Sequence, residues 1–168
     1  MGKIIAISNH KGGIGKTTTA VTLASAAGHF RKRALLVDLD PQAQCAVSLG
    51  VPRSPGLYSV VWEGESPAEH TVQARPNCDL LAGTRDSTAR LQDEMVGDPL
   101  GVWRLSETLE DEARQYDVMS WSFLRSRRTP SRSLPWQTRN RAIWTSLASK
   151  SRGHSAGSPS RPARPASW

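Results

Sequence analysis

Wholly apolar runs, rather than alternating ones, mark the first part of the chain. Ile4-Ile5-Ala6-Ile7 is apolar at every position, the pattern of a strand covered on both faces. Ala34-Leu35-Leu36-Val37-Asp38-Leu39, apolar but for Asp38, reads as a second buried strand and is closed by Pro41. Between them, Lys16 to Ala27 switches period: Ala20, Leu23, Ala24 and Ala27 fall at i, i+3, i+4 and i+7, one stripe of a helix. Gly28 is placed to end that helix. A glycine-rich turn joins the first strand to it. Strand, turn, helix and strand make a βαβ unit, the building block of parallel sheets.

Further on the pattern weakens. Pro52 to Gly56 reads as a loop and residues 57–75 as short helices with turns. Asp79-Leu80-Leu81-Ala82 is a third strand, ended by Gly83. Residues 86–95 and 101–114 are helical, the second with a stripe at Val102, Leu105 and Leu109, and Tyr116-Asp117-Val118 starts another strand. From residue 119 the character changes. Residues 119–168 hold twelve serines, five prolines, four of the six tryptophans and no valine, and no hydrophobic period persists. Such a segment buries too little apolar surface to offset its ordering entropy, so a disordered tail is expected. Ile143, Trp144 and Leu147 are the exception, a turn or two of helix too short to stand alone.

Charge divides at the same place. The net +7 is a sum of unlike parts: residues 119–168 carry ten Lys or Arg and no Asp or Glu, which leaves residues 1–118 at −3. No run of about eighteen apolar residues occurs, so no transmembrane helix is expected. The run at Ile4–Ile7 is too short for a secretory signal. Cys45 and Cys78 lack metal-type spacing and read as reduced thiols of a cytoplasmic protein.

The chemistry lies in the turn after the first strand, Lys11-Gly12-Gly13-Ile14-Gly15-Lys16-Thr17-Thr18. Phosphates are held by backbone N–H groups, a lysine and a metal ion. Glycines permit close backbone approach, and a helix N-terminus adds a favourable dipole. On that logic Gly12, Gly13 and Gly15 form a cradle around Ile14. Lys16 reaches the β- and γ-phosphates of ATP, Thr17 places its hydroxyl on Mg2+, and Thr18 adds donors near the α-phosphate. The plain phosphate-loop pattern calls for glycine at His10. A variant with a leading lysine, KGGxGK[ST], fits better. With "LLVDLDPQAQ" and the later segments "GLYSVVWEG", "NCDLLAG" and "RLSETLEDEARQYDV", the chain over residues 1–118 resembles the ParA and MinD partitioning ATPases, whose loop is the deviant Walker A motif.

The resemblance implies an α/β fold: a P-loop NTPase parallel sheet flanked by helices. It implies a cytoplasmic protein, nucleoid-associated in intact relatives, that binds ATP and Mg2+. Hydrolysis drives a switch between monomer and DNA-bound homodimer to move chromosomes or plasmids, and a ParB-like partner stimulates it. It implies that Lys11 acts in trans on the partner's nucleotide, that Asp40 positions the attacking water, and that Asp38 supports the Mg2+ environment. The residues alone leave another reading open, in which Asp38 and Asp40 only cap a helix.

The pattern breaks after Val118. The family continues with an apolar strand ending in an aspartate, the Walker B residue. Here the chain reads Met119-Ser120-Trp121-Ser122-Phe123-Leu124-Arg125, and no acid follows Asp117. The expected organisation is residues 1–118 as the N-terminal part of a truncated ATPase domain and 119–168 as an Arg/Ser/Pro/Trp-rich tail. Three readings of the tail stand: out-of-frame translation of a GC-rich gene, a basic nucleic-acid-binding segment, or a membrane-surface helix around Arg139–Arg152. Two functions follow: a partitioning ATPase, or a non-catalytic nucleotide- or DNA-binding remnant without Walker B.

Overall fold

In the computed structural model, residues 3–9, 12–98, 101–124 and 143–146 are described. Strand β1 (Lys3–Asn9) leads through the glycine turn into helix α1 (Lys16–His29), and β2 (Ala34–Asp38) follows, buried at all five positions. Short elements come next: α2 (Gln44–Leu49), α3 (Gly56–Tyr58), a π-helical turn (Ser59–Glu63) and α4 (Pro67–His70). A hairpin, β3 (Val72–Arg75) and β4 (Cys78–Leu81), precedes α5 (Arg85–Gly97), α6 (Gly101–Ala113), β5 (Val118–Leu124) and β6 (Ile143–Ser146).

The strands form one sheet in the order β3-β4-β2-β5-β1-β6. All neighbours are parallel except β3 and β4, so the expected parallel sheet carries one antiparallel edge strand. Apolar cores cover both faces. Ile4, Leu35 and Val37 point toward α5 and α6, packing with Leu91, Leu105 and Leu109. Ile7 and Leu36 point toward α1 and α2, packing with Ala20, Ala24 and Leu49. Burial on both faces is why these strands read as unbroken apolar runs.

Four sequence expectations change. Gly28 does not end α1, which runs on to His29. A Cβ there would stand 2.5 Å from the Pro76 carbonyl oxygen, so glycine serves the close approach of α1 to the β3–β4 turn. Residues 72–75 form a strand rather than helix or turn; it is an edge strand with only Ala74 buried, and so lacks an apolar run. Residues 143–146 are a strand parallel to β1, not a helical turn, while Leu147 lies outside the described residues. β5 also extends six residues past the compositional change at 118/119. Met119, Trp121 and Phe123 join the α5/α6 core, while Ser120 and Ser122 are buried on the other face. Period-two alternation thus carries this strand.

Candidate functional site

The site forms where β1, β2 and β5 end and α1 begins. Gly13 (φ 70°) and Gly15 (φ 86°) adopt left-handed backbone conformations that favour glycine. A Cβ on Gly12, Gly13 or Gly15 would meet no atom within 4 Å, so backbone conformation rather than packing selects glycine at Gly13 and Gly15. Gly15 is the N-cap of α1, and the first helical bond runs from the Thr19 N–H to the Gly15 carbonyl at 2.8 Å. Helix geometry leaves the Lys16, Thr17 and Thr18 N–H groups without a helical acceptor, pointed out of the N-terminus. Thr18 is exposed and Thr17 and Ile14 half-buried. His10 and Lys11 lie outside the described residues.

Lys16 is buried in spite of its charge. Its Nζ lies 3.5 Å from Asp40 Oδ2, the two side chains 6% and 7% exposed. Removing either partner would leave a buried charge uncompensated. Asp40 Oδ1 accepts the Gln42 N–H at 3.0 Å. Asp38, fully buried, accepts the Asp40 N–H on Oδ1 at 3.2 Å and the Cys45 N–H on Oδ2 at 2.9 Å. Cys45 is in the first turn of α2, so Asp38 does serve a helix N-terminus, as one sequence reading allowed. Burial raises the Asp38 carboxyl above its usual range, and those two N–H groups partly oppose the rise. Burial, then the Asp38 carboxylate, pushes the Cys45 thiol far up.

Sequence reasoning singled out Lys16, Asp38 and Asp40 separately, and the structure brings them together. It did not find Cys45, whose N–H and thiol both serve Asp38, and no local signal marks that contact. Nor did it find Gln92, whose Nε2 donates to the Leu39 carbonyl at 2.9 Å and ties α5 to the segment between the aspartates. Ser122 is the third. It sits in register with Asp38 on one side and Ile7 on the other, fully buried, its side chain beside the Cys45 thiol. The break in pattern after Tyr116-Asp117-Val118 pointed to this strand without picking the residue.

A left-handed glycine turn between a buried parallel strand and a helix N-terminus, with a buried lysine, one aspartate at the end of the next strand and another two residues beyond it, is the arrangement of a P-loop NTPase fold. The chain belongs to the AAA domain family, whose model matches residues 2–120. Its homologues include ParA/Soj chromosome-partitioning proteins. It is 54% identical over 124 residues to the sporulation initiation inhibitor protein Soj of Bacillus subtilis, covering 71% of this chain and 48% of that one. It is 42% identical over 115 residues to the chromosome-partitioning ATPase Soj of Thermus thermophilus, covering 68% and 43%. Its fold is similar to that of cobyrinic acid a,c-diamide synthase from Mycobacterium smegmatis with bound ADP and magnesium, with a TM-score of 0.65 at 28% identity, covering 73% of this chain and 51% of that one. The chain thus spans less than half the length of these two curated relatives. Among the described residues no helix is long and apolar enough to cross a membrane.

Proposed function

We propose that this chain binds ATP with Mg2+ through the α1 N-terminus, as a ParA-type partitioning protein. The observation that carries the reading is the buried Lys16–Asp40 pair, 3.5 Å apart, beneath the free N–H groups of the first turn. A nucleotide's β- and γ-phosphates would draw the Lys16 ammonium from Asp40 and take up those N–H groups. Gly12, Gly13, Ile14, Gly15 and Thr18 would line the phosphates. Among the described residues no cluster of three or more His, Cys, Asp or Glu could hold a metal. The donor set suits Mg2+ held by phosphate oxygens, water and the Thr17 hydroxyl, with Asp38 outside that sphere. Mg2+ would neutralise phosphate charge.

Lys11 in trans on a second copy's nucleotide, Asp40 aligning water once freed from Lys16, and a cytoplasmic cycle between monomer and DNA-bound dimer under a ParB-like partner complete this reading. They rest on the resemblance and on the names of the Soj relatives.

Ser122 favours a second reading, binding without turnover. The resemblance calls for a carboxylate on the strand after Val118, and Ser122, in register with Asp38 and Ile7, offers only a hydroxyl beside Cys45. Phosphate release under Mg2+-ATP decides between the readings, with binding of a fluorescent ATP analogue measured in parallel. Lys16→Ala should abolish binding. Turnover in the unaltered chain that Lys16→Ala removes supports the ATPase; binding with turnover only in Ser122→Asp supports the second reading. Binding unaffected by Lys16→Ala refutes both.

A further inference from the structure

The edge formed by the first residues of the central strands β2, β5 and β1, opposite the phosphate loop, carries a separate chemistry. α1 ends there, and His29-Phe30-Arg31-Lys32-Arg33 is exposed at all five positions. Phe30 is 74% exposed, the most exposed large apolar side chain among the described residues. The His29 ring meets it edge-on at 5.6 Å between centroids.

The turn is held in place from behind. Arg31 takes a left-handed φ of 58°. Its N–H bonds the Gly28 carbonyl at 2.9 Å, and the Lys32 N–H bonds the Ala27 carbonyl at 3.0 Å. The Arg33 N–H donates to Asp117 Oδ2 at 2.9 Å. The backbone contacts point inward while the side chains stand in solvent. Ala34, Val118 and Lys3 share one row of the sheet, so exposed Lys3 lies at this same edge. Two strand spacings, about 10 Å, separate its strand from the one Arg33 leads into.

The carboxylates near this turn have partners other than its cationic side chains. Asp38 and Asp40, both buried at the far edge, are the only acids in the first 62 residues. Nearby, Asp117 has one oxygen engaged by the Arg33 N–H, Asp79 accepts the Tyr116 hydroxyl at 3.0 Å, and Glu112 accepts from Gln115 Nε2 at 3.3 Å. Asp111 pairs with Arg114 at 3.7 Å.

We propose that this edge binds an unpaired nucleic-acid strand, with Lys3, Arg31, Lys32 and Arg33 on its phosphates and Phe30 against a base. Cations flanking an exposed aromatic ring match what a single strand offers, alternating phosphates and free π-faces. A duplex keeps its bases stacked and gives Phe30 nothing to do. A lipid surface would call for an apolar face beside the cations, and Phe30 is a lone ring on a turn. The proposal is independent of the nucleotide site, which lies at the other edge.

The test uses the full chain and a fluorescein-labelled DNA of mixed sequence, about 16 nucleotides long, single or paired with its complement, across about 50–200 mM salt. Phe30→Ala should weaken single-strand binding about fivefold or more and leave duplex binding unchanged, while Phe30→Trp retains it. Arg31→Gln/Lys32→Gln/Arg33→Gln should reduce the slope of log K against log[salt] for the single strand by about 2. The ten basic residues beyond residue 118 stay in every protein, so the differences isolate this edge. Unchanged affinity and slope in these variants overturn the proposal. So does a Phe30→Ala defect of equal size on the duplex, or one seen only with phosphatidylglycerol vesicles. Unaltered binding of the fluorescent ATP analogue should accompany each variant.

Discussion

Gly28→Ala sets two sizeable effects against each other. An alanine inside a helix is favoured over glycine by about 0.8–1.0 kcal/mol. Gly28 lies in the last turn of α1, so propensity alone predicts stabilisation. The new methyl, however, would stand 2.5 Å from the Pro76 carbonyl oxygen and 3.3 Å from the Asn77 carbonyl carbon and oxygen. Even an attractive C–H···O contact needs a separation of about 3.3 Å, so helix and turn must part by roughly 0.8 Å. Both obstacles are backbone, in a tight turn where Asn77 already holds φ at 56°. The turn is also bonded on two sides: Asn77 Nδ2 donates to the Gly28 carbonyl at 3.2 Å, and the Ala34 N–H donates to the Asn77 carbonyl at 2.9 Å. Overpacking of this kind costs about 1–3 kcal/mol. Loss of the Asn77 side-chain bond adds about 0.5–1.5 kcal/mol. Set against the propensity gain, the net is a destabilisation of about 0.5–3.7 kcal/mol. Urea unfolding followed by far-UV circular dichroism reads it as a lower midpoint at constant slope. A midpoint equal to or above that of the unaltered protein would refute the close-approach argument and restore Gly28 to the simpler role of a helix end.

Other consequences follow. Asp38 has its carboxyl raised, so the folded protein binds a proton there that the unfolded chain has released, and stability falls as pH rises from 3.8 through the raised value. Asp38→Asn should flatten that part of the pH–stability curve, measured by urea unfolding; an identical pH slope in both proteins would contradict it. The Cys78 thiol is pushed up to about 11 by burial and then by Asp79, and Cys45 is fully buried. Both should react with a disulfide reagent only at the rate of unfolding, and rapid labelling in native buffer would show the site packed otherwise. Thr17→Val should cut Mg2+-dependent nucleotide affinity about tenfold, ~1.4 kcal/mol, and leave metal-free affinity alone. Equal losses with and without Mg2+, in a titration of the fluorescent ATP analogue, would place Thr17 on phosphate instead.

The legible parts of the chain were those whose signal is local. β1 and β2 carry unbroken apolar runs, Ile4–Ile7 and Ala34–Val37, because helices cover both faces. The phosphate turn shows itself through glycines that its backbone requires at Gly13 and Gly15. What stayed hidden depends on distant partners. Gly28 looks like a helix end until Pro76 is placed against it. β3 is an edge strand with a single buried residue and so carries no pattern. Lys16 and Asp40 each stood out, yet their pairing spans a helix and a loop. The start of β5 was legible at Val118, but its continuation was hidden for another reason: serines fill the buried positions facing α1, where Ser120 Oγ donates to the Ala20 carbonyl at 3.4 Å. Polar residues at core positions erased the apolar run by which the other central strands were recognised.

The place of β5 also dictates when the phosphate site can exist. β1 and β2 lead into its two halves and are not paired with each other; β5 lies between them, paired with both. On a ribosome, the loop and the aspartates would emerge early and remain separate until residues 118–124 had been made. Synthesis at about 5–20 residues per second would then impose a wait of several seconds before the site could close. A nascent chain arrested before residue 118 should therefore fail to retain nucleotide, even with every phosphate-loop residue already present.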